Sequence, residues 1–148
     1  RELLRANSAW LVLDGESRKP RKPGPVVERR NIPMNPGNYD ETPAKVQPPN
    51  EADAESYALT VRYSDIDPQR HVNNARYVEW MFNALKDDWM DAHRPRELSV
   101  NFLRECGVGD AVRILRDRDT GDKPQRTRHS VLLDRTPVCV MTAVWAPR

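Results

Sequence analysis

Tyr63-Ser-Asp-Ile-Asp-Pro-Gln-Arg-His-Val-Asn-Asn-Ala-Arg-Tyr-Val-Glu-Trp80 is the segment from which the rest of this chain can be read outward. Upstream, Tyr57, Leu59, Val61 and Tyr63 alternate with Ala58, Thr60 and Arg62, the period of a half-buried strand. Asp65 and Asp67 end that run. Pro68 fixes its own φ and keeps Asp67 out of the α region. Downstream, Val72, Ala75, Val78, Phe82, Leu85 and Trp89 recur at helical spacing, while Tyr77, Trp80, Met81 and Ala84 fill much of the other side. The spacing predicts one helix from about Val72 to Trp89, buried on several sides, with His71, Asn73 or Asn74 as its N-cap. Strand, tight polar turn and helix start in succession bring carboxylates, an imidazole and side-chain amides to the mouth of a core. They lie there beside the unpaired N–H groups of a helix N-terminus.

Beyond the helix, Leu98, Val100 and Phe102 alternate with Ser99, Asn101 and Leu103. Gly107 and Gly109 mark a turn, and Ala111 to Leu115 reads as the next strand. Thr120-Gly-Asp-Lys-Pro124 is a hairpin or loop signal. Arg128 to Leu133 and Val138 to Trp145 are two further strands, joined around Thr136-Pro137. Short connections favour an antiparallel sheet. The expected order is strand, long helix, then four strands.

The composition suits a single domain with an extension: 148 residues, 31% charged and 38% hydrophobic. A net charge of +2 gives no argument for a nucleic-acid partner. No apolar run approaches membrane-spanning length, and no signal or transit segment is visible. Cys106 and Cys139 do not make a disulfide framework and fit a reducing compartment. The chain begins with Arg1 rather than Met, which suggests a fragment or a processed product. Residues 1–14 read as one strand, with Leu11 and Leu13 on the same face. Residues 15–56 read as linker, because Pro20, Pro23, Pro25, Pro33, Pro36, Pro43, Pro48 and Pro49 break regular structure. Arg18, Lys19, Arg21, Lys22, Arg29 and Arg30 make its first part basic. That part is either a solvated connector or a docking surface for an acidic partner.

The segment Asp65-Ile-Asp-Pro-Gln-Arg-His-Val-Asn-Asn-Ala-Arg-Tyr-Val-Glu-Trp80 resembles the signature of acyl-acyl-carrier-protein thioesterases. Their motif is Asp-x-Asn-x-His-Val-Asn-Asn with Tyr and Trp at this spacing. Arg104-Glu105-Cys106 resembles a second block of that family. Arg5-Ala-Asn-Ser-Ala-Trp-Leu-Val-Leu-Asp14 resembles the last strand of the preceding half of those enzymes. The resemblance implies an α+β hotdog fold over residues 57–148, an antiparallel sheet of about five strands wrapped around one long central helix. It implies hydrolysis of fatty acyl-carrier-protein thioesters without a cofactor or metal, in plastid stroma or bacterial cytoplasm. The implied partners are acyl carrier protein and a second hotdog, supplied by a missing half or by a homodimer. Nucleic acid and membrane are not among them. The implied site is Asp67, Gln69, His71 and Glu105, with the family's catalytic Asn falling on Gln69, which keeps the amide and adds a methylene.

Each of these residues also has a plainer reading. Asp67 and Asn73 suit a turn and a helix cap. Glu105 suits an ion pair with Arg104 or another basic residue, whereas beside an apolar slot its carboxylate would rise in pKa and serve as a base. Cys106 is either a nucleophile paired with His71 or a small buried core residue. His93 suits the C-terminal end of the helix. His71 with Asp65 and Asp67 lacks the spacing of a metal site. Two alternatives stay open beside carrier-protein thioester hydrolysis: an acyl-coenzyme A thioesterase on the same fold, and an inactive hotdog that binds acyl chains or assembles.

Overall fold

The computed structural model describes residues 4–17, 19–22, 24, 45–119 and 125–148. The chain divides into two units, Arg1–Ala44 and Lys45–Arg148. In the first unit, β1 (Val12–Leu13) pairs antiparallel with β2 (Pro20–Arg21). The strand expected over residues 1–14 is thus only two residues long. It finds its partner within the expected linker, where Pro20 takes a strand position. Asp14 makes the intervening turn: its Oδ1 accepts from the Ser17 N–H and hydroxyl, each at 2.9 Å, and these bonds hold its carboxyl below the usual range. The basic residues Arg18, Arg29 and Arg30 and the loop signal at 120–124 lie outside the described residues.

The second unit is the hotdog arrangement of sheet and helix. Five strands, β3 (Glu55–Thr60), β4 (His93–Phe102), β5 (Ala111–Asp119), β6 (Gln125–Leu133) and β7 (Thr136–Pro147), form one antiparallel sheet in the order β3-β5-β6-β7-β4. Helix α1 (Asn74–Asn83) packs across β5, β6 and β7. The unit also takes in residues ahead of β3. Val46 is buried with its N–H on Asn101 Oδ1 at 2.8 Å, and the Asn50 N–H reaches Asp117 Oδ2 at 3.2 Å.

The helix departs from expectation in length. It stops at Asn83, and a second helix, α2 (Asp87–Ala92), follows. Asp87 and Asp88 sit in the first turn of α2, where carboxylates favour a helix start, and Asp88 Oδ1 accepts the Trp89 N–H. The deepest positions of α1 are Tyr77, Trp80 and Met81, followed by Ala84 at its end. They pack with Val112, Ile114, Val131, Val138 and Met141. Val78 and Phe82, on the apolar stripe, are half-buried, while Val72 and Leu85 of the same stripe are buried. The β6–β7 connection also moves. Asp134 and Arg135 both take positive φ, at 49° and 65°, which is the two-residue hairpin turn that matches strand twist. Pro137 lies inside β7, opposite the register shift between Val131 and Leu132, where a missing N–H is tolerated.

On the helix side of the sheet, β5 and β6 bury a polar group. Trp145 Nε1 donates to Thr127 Oγ1 at 2.9 Å, and His129 Nε2 lies 3.0 Å from the same oxygen. Arg116 is the cross-strand partner of His129. Burial, reinforced by the Arg116 charge, pushes the His129 imidazole down to about 3. In the unfolded chain the same ring takes a proton near its ordinary value of 6.5. Below that pH the unfolded state binds more protons, so stability present at neutral pH is lost progressively toward about pH 3. His129→Leu should therefore flatten the loss of urea stability between about pH 6 and 4, whatever its stability at pH 7. An unchanged slope in unfolding curves across that range would count against this assignment.

Candidate active site

The turn between β3 and α1 is a closed loop with a hydrogen-bonded neck. The Asn73 N–H donates to the Asp65 carbonyl at 2.9 Å, Ile66 and Val72 form an isolated bridge, and the Asp67 N–H donates to the His71 carbonyl at 2.9 Å. Within it, the Arg70 N–H returns to the Asp67 carbonyl at 2.9 Å. Asp67 Oδ1 accepts the Gln69 N–H at 2.8 Å and the His71 N–H at 3.4 Å. This is a three-residue hairpin in which a β-turn is closed by a residue in the left-handed region, here Arg70 at φ 68°. Pro68 and the Asp67 side chain are the local reasons the chain folds this way.

One long-range bond seats the loop. The Val72 N–H donates to the Cys106 carbonyl at 2.9 Å. Just before this, the N–H groups of Leu103 and Arg104 both turn to the Val138 carbonyl, so the chain leaves the β4 ladder immediately after Phe102. His71 and Glu105, the residues preceding the bonded pair, then meet: Nε2 and Oε2 are 3.3 Å apart. Their side chains are 39% and 49% exposed, so the pair is open to water rather than sealed against an apolar slot.

The helix N-terminus lies three residues beyond His71, at Asn74. Asn73 is the cap, with its Oδ1 accepting the Ala75 N–H at 2.9 Å. The Arg76 N–H goes to the Asn73 carbonyl at 2.8 Å. That leaves the Asn74 N–H as the first-turn donor without a protein acceptor among the described residues. The expected set of polarising N–H groups thus narrows to one, next to the positive end of α1.

Of the four expected site residues, His71 and Glu105 come together. Asp67 touches His71 through the main chain, as the plainer turn reading anticipates. Gln69 sits exposed near the tip of the hairpin. Cys106 is 2% exposed, with its thiol beside the Tyr77 hydroxyl, and burial pushes that thiol up. Among the described residues, no three His, Cys, Asp or Glu side chains gather as they would around a metal ion. No helix there is long and apolar enough to cross a membrane. The sequence gives Asp65 no place among the expected site residues, yet its carboxylate is buried. The Cys106 carbonyl has no local signal at all, since a main-chain acceptor shows in no side-chain pattern.

Residues 49–145 match the acyl-ACP thioesterase C-terminal domain. The chain is 30% identical over 113 residues to the chloroplastic acyl-[acyl-carrier-protein] hydrolase FATB2 of Cuphea viscosissima, covering 71% of this chain and 27% of that protein. It is 32% identical over 78 residues to the chloroplastic dodecanoyl-[acyl-carrier-protein] hydrolase of Umbellularia californica, covering 51% of this chain and 20% of that one. Among solved structures it is similar to the 12:0-ACP thioesterase of Umbellularia californica, with a TM-score of 0.78 and 24% identity. That likeness covers 92% of this chain and 52% of the other. The chain thus spans about a quarter of the first of these curated relatives and about half of the solved one.

The left-handed backbone at Arg70 gives a direct test of the loop. A non-glycine residue there carries strain of about 1–2 kcal/mol, which glycine avoids at some entropic cost. Arg70→Gly should leave urea stability unchanged or raise it by up to about 1 kcal/mol, and Arg70→Val should lower it by about 1–2 kcal/mol. Equal stability of the two variants would mean that the loop does not hold this φ.

Proposed function

The chain belongs to the acyl-ACP thioesterase family, as its C-terminal domain, and on that premise we propose that it hydrolyses fatty acyl thioesters of acyl carrier protein to free fatty acid. The observation that carries this reading is the 3.3 Å contact between His71 and Glu105 beside the start of α1. Thioester hydrolysis needs a base for water and a donor for the carbonyl oxygen. The Glu105–His71 pair takes the proton of a water whose oxygen adds to the carbonyl carbon. Negative charge then builds on the carbonyl oxygen, where the Asn74 N–H and the helix dipole meet it. Collapse breaks the C–S bond, and the departing thiolate leaves with the proton. Asp67 holds the His71 main chain, and Gln69 offers its amide to the substrate from the hairpin. A thiol buried as Cys106 is stays protonated and is packing, not nucleophile.

A second hotdog completes the domain in this reading. β4 is an edge strand, and Leu98, Phe102 and Leu103 on or just after it are 46%, 45% and 54% exposed. An unpaired edge beside exposed apolar side chains is a surface that proteins cover. The solved relative, of which this chain spans half, has length enough for a second such unit. Residues 1–14 then belong to the end of that preceding half. The working compartment is one that makes carrier-bound acyl chains, plastid stroma or bacterial cytoplasm.

Alanine substitutions with an acyl-carrier-protein hydrolysis assay test the chemistry. Glu105→Ala and His71→Ala should each lose about a hundredfold or more in kcat/KM, the scale of a lost general base. Cys106→Ala should keep most activity, and Gln69→Asn should hold or raise it. A dead Cys106→Ala beside an active Glu105→Ala would replace this mechanism with a Cys–His one. Faster turnover of the coenzyme A thioester than of the carrier-protein thioester would reassign the substrate, and no hydrolysis of either would leave an acyl-binding or assembly role. Sedimentation tests the edge: the 148-residue chain should self-associate, and Leu98→Asp with Phe102→Asp should disperse it. A folded monomer at high concentration, with no second hotdog half in the parent protein, would refute pairing at β4.

A further inference from the structure

We propose that Asp65 is a positioning residue for the His71–Glu105 pair, acting through Arg76 and the neck of the loop. The proposal rests on the reading of that pair as the reacting groups. Asp65 is the carboxylate that the turn buries: its side chain is 12% exposed, against 37% for the Arg76 that faces it. A buried charge persists only where partners repay its desolvation. Asp65 Oδ2 accepts the Arg62 N–H at 2.8 Å, and Oδ1 faces Arg76 Nε at 3.8 Å. Arg76 adds a bond from Nη2 to the Ser64 carbonyl at 3.4 Å and is braced by Glu79, whose Oε2 lies 2.5 Å from Nη1. The first turn of α1 is thereby tied by side chain to residues 64 and 65.

The same residue ties the loop by main chain. The Asp65 carbonyl accepts the N–H of Asn73, the cap of α1. Everything from Ile66 to Val72, His71 included, lies within the loop that this bond closes. On its far side the loop is held by the Val72–Cys106 bond, which sets His71 against Glu105. The imidazole is therefore positioned from two directions, from Cys106 on one and from Asp65 on the other. A turn that needed only a cap could use an exposed serine or asparagine. Burying a carboxylate against the arginine of the following helix adds a charge-dependent lock between helix and loop. Misplacement of a reacting group by about 1 Å can cost up to about a hundredfold in rate.

Asp65→Asn keeps shape and one acceptor oxygen and removes the charge, and Arg76→Met removes the other partner, with its bond to the Ser64 carbonyl, while leaving the main-chain bonds of the loop in place. Each should lower kcat for acyl-carrier-protein hydrolysis about tenfold with KM nearly unchanged. The double variant should be little worse than either alone. Independently of turnover, the NMR resonances of the His71 ring in the folded protein should move in both variants, in the same sense as in Glu105→Gln. Loss of general stability alone would not move them. If the parent protein hydrolyses thioesters and both variants keep its kcat and its His71 resonances, the positioning role is refuted while the thioesterase reading stands. If the parent protein hydrolyses nothing, the thioesterase reading falls, and the His71 resonances alone decide whether Asp65 positions the ring. Should Asp65→Asn fail to fold, Arg76→Met carries the same test.

Discussion

The burial of α1 against β5, β6 and β7 is the constraint on which the second unit depends. Tyr77, Trp80 and Met81 leave water together and meet Val112, Ile114, Val131 and Met141 from the sheet. Each such side chain contributes about 1.5–3 kcal/mol by area. The helix has ten residues, too few to stand alone in water. Its position is therefore set by the sheet, and the sheet in turn needs an apolar face to close upon. The aromatic members add direction: Tyr77 meets Trp80 edge-on at 5.4 Å, and Phe82 tilts against Trp145 at 5.6 Å.

Once the helix is placed, the loop before it has little freedom. Its far end is the helix cap, and its near end leaves β3, whose last neighbour Val61 is buried with its N–H on the Asp110 carbonyl at 2.9 Å. Between them, the Val72 bond to Cys106 selects which residues of the post-β4 segment face the loop. The site is thus assembled by main-chain hydrogen bonds, which position without adding charge, and the ionisable side chains are left open to water. That division leaves the His71–Glu105 pair in exchange with solvent while the frame behind it stays buried. Tyr77 belongs to that frame: burial pushes its hydroxyl up and keeps it neutral beside the Cys106 thiol.

The sheet carries its buried charge away from the candidate site. Arg116 pairs with Glu55 on the neighbouring strand, and Asp117 is held by Arg128, with Nη2 and Oδ2 2.9 Å apart. These pairs join β3, β5 and β6 at the end opposite the turn between Gly107 and Asp110. They contribute to strand register more than to stability, since ion pairs of this kind gain little net energy once desolvation is counted. His129 is the exception, a buried imidazole that stays neutral and makes this end of the sheet acid-sensitive.

What the sequence determined by itself is the part written in side-chain period and local chemistry. The alternation through Tyr57, Leu59 and Val61, the strands after the helix, and the cap at Asn73 all follow from short-range rules that act whatever the rest of the chain does. The motif from Asp65 to Trp80 carried the family and the fold, because residue types at fixed spacing survive without knowledge of contacts. The length of the helix was not legible. Apolar periodicity runs on to Trp89, and only the acidic pair Asp87 and Asp88 marks the new start. Nor was the innermost face, since Val78 and Tyr77 are both apolar enough, and the sheet chooses between them. The meeting of His71 with Glu105 belongs wholly to tertiary structure. It is made by a main-chain bond between residues far apart in the chain, and main-chain donors and acceptors are the same at every position but proline. The burial of Asp65 is decided the same way. A carboxylate between a strand and a helix looks like any other turn residue until the packing of α1 brings Arg76 over it.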